Sequence, residues 1–256
     1  MFERCAMSVS CRVLVAAGAL LLPLAARAAD TITLTSGEWQ PYISEKLPHY
    51  GPLTRIITEA FALEGVQVRY VFRPWNRAFI EGDSGGANGT ILWSESGPGL
   101  AGERERRYHY SDVVFEGQSV FFHLKRYPFR WTSFDRLAGV RMGGTAGYDY
   151  LFAGHKDITI DRTAPSDELN FRKLAAGRFD VFPADLNAGR EIMRTTLTPE
   201  QAALITWDPR PFNTTRYHLL LNRRGGDNER YLALFNRGLK KLKDSGKYAE
   251  YLQTLK

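Results

Sequence analysis

Cysteine is nearly absent from this 256-residue chain, which has only Cys5 and Cys11. Both lie in the first 28 residues. Without that segment the chain can form no disulfide framework, thiolate nucleophile or cysteine-based zinc site. The histidines, His49, His109, His123, His155 and His218, show no metal-ligand spacing. Neither a metal nor any other cofactor is therefore expected. A P-loop is also missing. No block of five like charges occurs, and the aromatics are too dispersed for a base-stacking platform. Nucleic acid is therefore not an expected partner. Long apolar runs are lacking too. Val13 to Leu22 is broken at Pro23, short of the roughly 20 residues that span a bilayer.

That short run has the form of a secretory leader rather than a membrane anchor. Arg4 and Arg12 supply a positive start, and Ala26-Arg27-Ala28 supplies small residues for cleavage near Ala28. A periplasmic location follows as an expectation. Removing Glu3, Arg4, Arg12 and Arg27 lowers the formal charge from +6 to +4. This mild excess argues weakly for anionic ligands. With 44% hydrophobic and 24% charged residues, the composition is that of an ordinary globular protein. The remaining chain, about 228 residues, is long enough to rely on its own core.

Residues 31–36 alternate as a strand, and a loop carrying Trp39 and Tyr42 follows. Pro52 opens a helix with Leu53, Ile56, Ile57, Ala60 and Phe61 on one face, and Gly65 closes it. Val66–Val71 is the next strand, which makes a β-α-β unit with a right-handed crossover. Trp75 then stands just past a strand end, where open α/β sheets contact ligands. Glu81–Gly86 reads as a flexible turn and Gly89–Trp93 as a third strand. A glycine-containing loop from Ser94 to Gly102 leads to an arginine cluster, Arg104, Arg106 and Arg107.

Further on, Val140–Gly143 reads as a strand, and Gly144–Gly147 as a tight turn into a helix. Exposed N–H groups at such a helix start favour an anion. Ser166 can cap a helix carrying Phe171, Leu174 and Ala175, closed by Gly177. Asp180–Asp185 is a short strand ending in an acid that can cap a helix or meet a ligand. Thr198-Pro199-Glu200-Gln201 is a capping box. From Asp227 a long helix places Tyr231, Leu234, Phe235, Leu239 and Leu242 at helical spacing, and Gly246 ends it. Two apolar stretches remain, Ser119–Phe122 and Tyr217–Asn222. They are expected to connect two lobes, with Arg104 facing the cleft between them.

Several segments keep a common spacing. Arg104 precedes Tyr110-Ser111 by six residues, Gly144-Thr145 follows a strand, and Gly177-Arg178-Phe179-Asp180 precedes Asp185. Near the end stands Gly246-Lys247-Tyr248. In this order the chain resembles bacterial extracellular solute-binding proteins of family 3, the polar amino-acid-binding type. Pro74-Trp75-Asn76-Arg77-Ala78 also looks like a segment of one branch of that family. The resemblance implies an α/β fold of two lobes, the type II periplasmic-binding-protein architecture, with two crossing hinge strands and a cleft. Lobe 1 would comprise 29–118 plus 220–256, and lobe 2 would comprise 119–219.

By position, the resemblance gives Arg104 a ligand carboxylate, through a bidentate fork. It gives Gly144-Thr145 a hydroxyl and N–H contact, and Asp185 an ammonium group with Ser94 nearby. Trp39, Tyr42, Trp75 and Trp93 would be aromatic walls. The chain departs from the family pattern at Ala101, where Thr is usual, and at Asn88, where Asp is common. The function implied is capture of a small polar ligand, an amino acid or related carboxylate, for an ABC-type transporter by a monomer. The membrane permease would be its transient partner. The alternatives are a ligand-sensing partner of a receptor, or a periplasmic enzyme on the same fold, like cyclohexadienyl dehydratase. The enzyme would use Glu38 or Glu81 as general acid.

Overall fold

The computed structural model describes residues 30–95, 102–146 and 157–255, with Met1, Tyr148, 150–152, 154 and 155 besides. The expected leader and most of the loop between Ser94 and Gly102, Ala101 included, lie outside the described residues. The alternating start of the chain forms β1 (Asp30–Ser36). Pro52 begins α1 (Pro52–Ala62), whose residues Leu53, Ile56, Ile57, Ala60 and Phe61 are buried. Gly65, in the left-handed region at φ +77°, turns the chain into β2 (Val66–Phe72). β2 pairs parallel with β1 from Asp30 opposite Val66 to Ser36 opposite Phe72.

The expected flexible turn at Glu81–Gly86 is corrected. Its first half belongs to α2 (Trp75–Asp83), because Gly82 allows the helix to lie against β3 (Gly89–Ser94). A Cβ on Gly82 would stand 3.2 Å from the Gly89 carbonyl carbon. The arginine cluster is itself helical, forming α3 (Glu103–Arg107) ahead of β4 (Tyr108–Tyr110).

The two crossing strands are longer than their apolar runs. They are β5 (Phe115–Leu124) and β10 (Asn213–Asn222). They pair antiparallel, Tyr217 opposite Phe115 through Asn213 opposite Ser119. Beyond that segment they part. Residues 217–221 of β10 pair with β3, whereas residues 119–123 of β5 pair with β8 (Val181–Asp185). Each strand therefore starts in the shared ribbon and ends in a different half of the sheet.

The second half adds β6 (Met142–Thr145), β7 (Ile160–Ala164) and β9 (Ile205–Trp207). The strand order is β2-β1-β3-β10-β5-β8-β6-β7, with β4 beside β10 and β9 beside β5. Gly144 and Thr145 continue a strand rather than forming the expected turn, because they pair along β7. The described residues from Tyr148 to His155 form no helix. β7 itself carries Asp161, Arg162 and Thr163, so no apolar pattern announced it. Helices α4 (Asp167–Ala175), α5 (Leu186–Thr195), α6 (Pro199–Ala203), α7 (Asn228–Asp244) and α8 (Lys247–Leu252) cover the faces. Ser166 caps α4, and Thr198 with Gln201 forms the capping box of α6.

Three apolar clusters follow from this layout. One packs Ile32, Leu34, Phe61, Leu219 and Leu221 against Phe235 and Leu239 of α7. The others lie on opposite faces of β5, because neighbouring side chains on a strand point opposite ways. Phe122 joins Phe171 and Phe182, whereas Phe121 joins Trp131, Phe152 and Val181.

The closest backbone approach between helices is at Gly238 of α7, where a Cβ would stand 1.9 Å from the Ala60 carbonyl oxygen. Gly238→Ala should therefore cost about 1–3 kcal/mol, the usual range for overpacking. It should be seen as a lower urea midpoint with an unchanged slope. An unchanged midpoint would mean that α1 and α7 can separate freely.

Candidate ligand site at the lobe junction

β1 and β3 run one way, ending at Ser36 and Ser94, and β6 and β8 run the opposite way, ending at Thr145 and Asp185, so their carboxyl ends meet the shared ribbon from the two halves. The carboxyl ends of such strands are where open α/β sheets bind ligands. Asp185 is held there by its own strand and helix. Its Oδ1 accepts the Ala188 N–H at 3.0 Å and so caps α5. The same oxygen accepts the hydroxyl of Tyr42 at 2.6 Å. Tyr42 comes from the loop after β1, so this bond joins the two halves of the molecule. Both readings of Asp185 therefore meet in one residue: one oxygen caps the helix and the other remains. Oδ2 is buried with no hydrogen-bond partner. Gly117 of β5 makes room for it, since a Cβ there would lie 2.8 Å from Oδ2.

Burial pushes the Asp185 carboxyl above the usual range, against the Ala188 N–H, the Tyr42 hydroxyl and the Asn187 N–H, which favour the charged form. The Tyr42 hydroxyl is raised in turn, by burial first and then by the charge of Asp185. An aromatic wall stands over this pair. Trp39 lies 4.5 Å from Tyr42 and 4.8 Å from Tyr217, centroid to centroid, and Tyr42 lies 4.8 Å from Phe115. Phe115 and Tyr217 stack at 6.2 Å across the crossing strands. These two aromatics were not among the expected site residues. Tyr217 had been read only as part of a strand, and Phe115 lay outside the apolar stretch that begins at Ser119.

Arg104, Trp93, Trp75 and Ser94 gather separately at the end of β3. The Arg104 guanidinium lies 5.2 Å over the Trp93 ring, and its Nη1 donates to the Ser94 carbonyl at 3.1 Å. Trp75 meets Trp93 edge-on at 5.6 Å, and its Nε1 donates to the Glu38 carbonyl at 3.0 Å. Leu92 is the extra residue where β3 and β10 slip register, and it takes a left-handed φ of 58°. A bulge of this kind re-aims the next side chain, here Trp93. Two links tie this group to the first: Glu38 is one residue from Trp39, and Ser94 stands opposite Tyr217.

Thr145 is fully engaged within its own half. Its N–H donates to the Tyr150 hydroxyl at 2.8 Å, its Oγ1 donates to Asp167, and Asn170 Nδ2 donates to Oγ1 at 2.9 Å. Gly144 faces Ile160 and Tyr150, since a Cβ there would stand 2.6 Å from Ile160 Cγ2. Asp167 is a site residue that the sequence showed only as the start of a helix. Burial pushes its carboxyl up to about 6, with Glu168 and Asp185 adding to the effect and the Thr145 hydroxyl opposing it. The acids considered for catalysis lie elsewhere in local contacts. Glu81 pairs with Arg73 at 3.1 Å, and Glu38 accepts the Glu45 N–H at 3.0 Å.

No family model and no curated protein matches the sequence significantly. Solved structures do match. The amino-acid ABC transporter substrate-binding protein AbpA from Streptococcus pneumoniae, bound to L-arginine, is 13% identical, covering 88% of this chain and 94% of that one at TM-score 0.67. The GluR0 ligand-binding core from Nostoc punctiforme, in complex with L-glutamate, is 15% identical, covering 88% and 98% at TM-score 0.68. The probable amino-acid ABC transporter extracellular-binding protein ytmK from Bacillus subtilis is 13% identical, covering 89% and 97% at TM-score 0.71. At these identities the likeness establishes the fold, the two-lobed α/β architecture of periplasmic binding proteins. These neighbours are of the type that the sequence resembles.

The raised carboxyl of Asp167 has a consequence for stability. Its value of about 6 lies above the ordinary 3.8, so the folded state holds the proton more tightly. That contribution is complete below about pH 4 and is lost as the pH rises through about 6. Relative to Asp167→Asn, the wild-type urea midpoint should fall between about pH 4 and pH 6. A constant difference between the two across that range would show that burial does not burden this carboxyl.

Proposed function

We propose that this chain is a periplasmic solute-binding protein that captures a small polar ligand between its lobes. It would deliver the ligand to an ABC-type transporter as a monomer released by cleavage near Ala28. The lobes are 29–118 plus 220–256, and 119–219. The observation that carries this reading is the buried, unpartnered Oδ2 of Asp185, set under aromatic rings where the two halves meet. A buried carboxylate oxygen without a partner is costly, and a ligand ammonium group would relieve that cost. Trp39, Tyr42 and Tyr217 then form the wall over the ligand.

Arg104 meets the ligand carboxylate through the edge of its guanidinium that Ser94 and Trp93 leave available. A charge-assisted pair of this kind contributes roughly 1.5–3 kcal/mol. Trp75 and Trp93 position Arg104, and Gly144-Thr145 lines the opposite lobe. The printed descriptions of the structural neighbours, bound to L-arginine or L-glutamate, support an amino-acid ligand. Glu38 and Glu81, the acids weighed for catalysis, are held in local contacts, which supports binding without turnover.

The test is a thermal-shift screen of the mature protein, unfolded and refolded to strip carried-over ligand, against amino acids, amines and small carboxylates. A ligand at about 100 times its Kd adds about 2.7 kcal/mol. At this size that is a shift of roughly 5–10 °C. The shift should vanish for α-amino acids in Arg104→Ala. No shift across the whole panel would overturn the proposal.

A further inference from the structure

Other acids of the protein are paired with cations or, like the buried Asp208, accept backbone N–H groups on both oxygens, from Trp131 at 2.8 Å and Arg210 at 2.9 Å. Glu64, 8% exposed, is held by Lys241 at 2.7 Å and Arg237 at 3.2 Å. Asp180, 15% exposed, is held by Arg141 at 2.7 Å. Asp161 is held by Lys173 at 2.5 Å. Asp185 and Asp167 differ, for among the described residues neither has an ion-pair partner and each accepts hydrogen bonds on one oxygen only.

The two acids stand side by side. β6 and β8 run parallel with Met142 opposite Val181, which puts Thr145 level with Ala184, one residue before Asp185. Neighbouring strands lie about 4.8 Å apart. Asp167 is fixed at that point by the Thr145 hydroxyl, whose single proton it takes. The same hydroxyl must then accept, and it does so from Asn170 Nδ2. This orients the Asn170 amide and leaves its Oδ1, in a fully buried residue, without a donor. The second oxygen of Asp167 has no partner among the described residues either. Asp185 Oδ2 and Asn170 Oδ1 are buried acceptors without a donor, and the half-buried Asp167 adds a further acceptor oxygen.

Such an imbalance is relieved by a group that brings N–H donors and positive charge. We infer that Asp167 is a specificity-determining residue and that the ligand carries two cationic nitrogen groups, one at Asp185 and one at Asp167. Tyr217, whose hydroxyl is raised by burial and by the charges of Asp185 and Asp167, lies within the electrostatic reach of both acids. This inference rests on the proposed binding function and narrows its ligand class to basic amino acids or diamines.

Isothermal titration of the refolded mature protein with four probes tests it: L-arginine, 1,4-diaminobutane, L-glutamine and L-glutamate. At least one dication should bind ten-fold or more tighter than L-glutamine, and Asp167→Asn should weaken that dication at least ten-fold. Binding of L-arginine alone assigns an amino acid, and binding of the diamine alone assigns an amine without a carboxylate. Either result supports the inference. L-Glutamine or L-glutamate binding as tightly as both dications would overturn it, and the wild-type comparison needs no variant to fold. A dication affinity unchanged in a folded Asp167→Asn would also overturn it, with the binding function left standing. Binding of none of the four would overturn it too, and the wider panel would then decide the binding function separately.

Discussion

The antiparallel pairing of β5 with β10 is the constraint on which everything else depends. Five residues of each strand bond to each other, and then each strand enters a different half of the sheet. Among the described residues, the ribbon is the sheet's only continuity between the half around β1 and the half around β8. Because it ends in Tyr217 on one side and passes Gly117 on the other, it also forms the floor beneath Asp185. The hinge and the site are therefore built from the same residues. A glycine at 117 serves both, since any side chain there would fill the space beside the carboxylate.

Asp185 and Tyr42 express the same economy. Tyr42 is buried in the first apolar cluster, and its hydroxyl crosses to a carboxylate fixed by α5 in the other half. The bond aligns the halves in this structure with one oxygen and leaves the other for a ligand. Burial raises both groups, so the pair is held by geometry rather than by a nearby cation. Arg104, the strongest positive group expected at the site, is drawn instead toward Trp93 and the Ser94 carbonyl.

Much of this was legible in the residues. Helical spacing and terminal signals placed α1, α4, α6 and α7, because apolar faces, caps and glycines act locally. The crossing strands were visible as apolar runs, but only over the parts buried in each half. Their shared segment, Phe115–Ser119 with Asn213–Tyr217, mixes exposed polar residues with aromatics and carries no clear period. β7 was invisible for a similar reason: pairing along β6 and the Asp161–Lys173 ion pair hold it, rather than an apolar face. Of the candidate site, Asp185 was singled out by its place in the resemblance, and Tyr42 and Trp39 by excess aromatic area in a loop; the structure brings the three together. Asp167 was hidden because the first residue of a capped helix is commonly acidic. Its meaning depends on Thr145, 22 residues earlier in the chain.

The central claim is that one oxygen of Asp185 is kept buried and unpartnered for a ligand, at a cost to the empty protein. The most direct measurement is the melting temperature of Asp185→Asn and wild type near pH 7.5, each empty and each with a ligand that shifts the wild type. An asparagine keeps the acceptor for Tyr42 and Ala188 and removes the buried charge. The empty variant should melt above the empty wild type and show no ligand shift. A variant that melts lower, or that still responds fully to the ligand, would contradict the account.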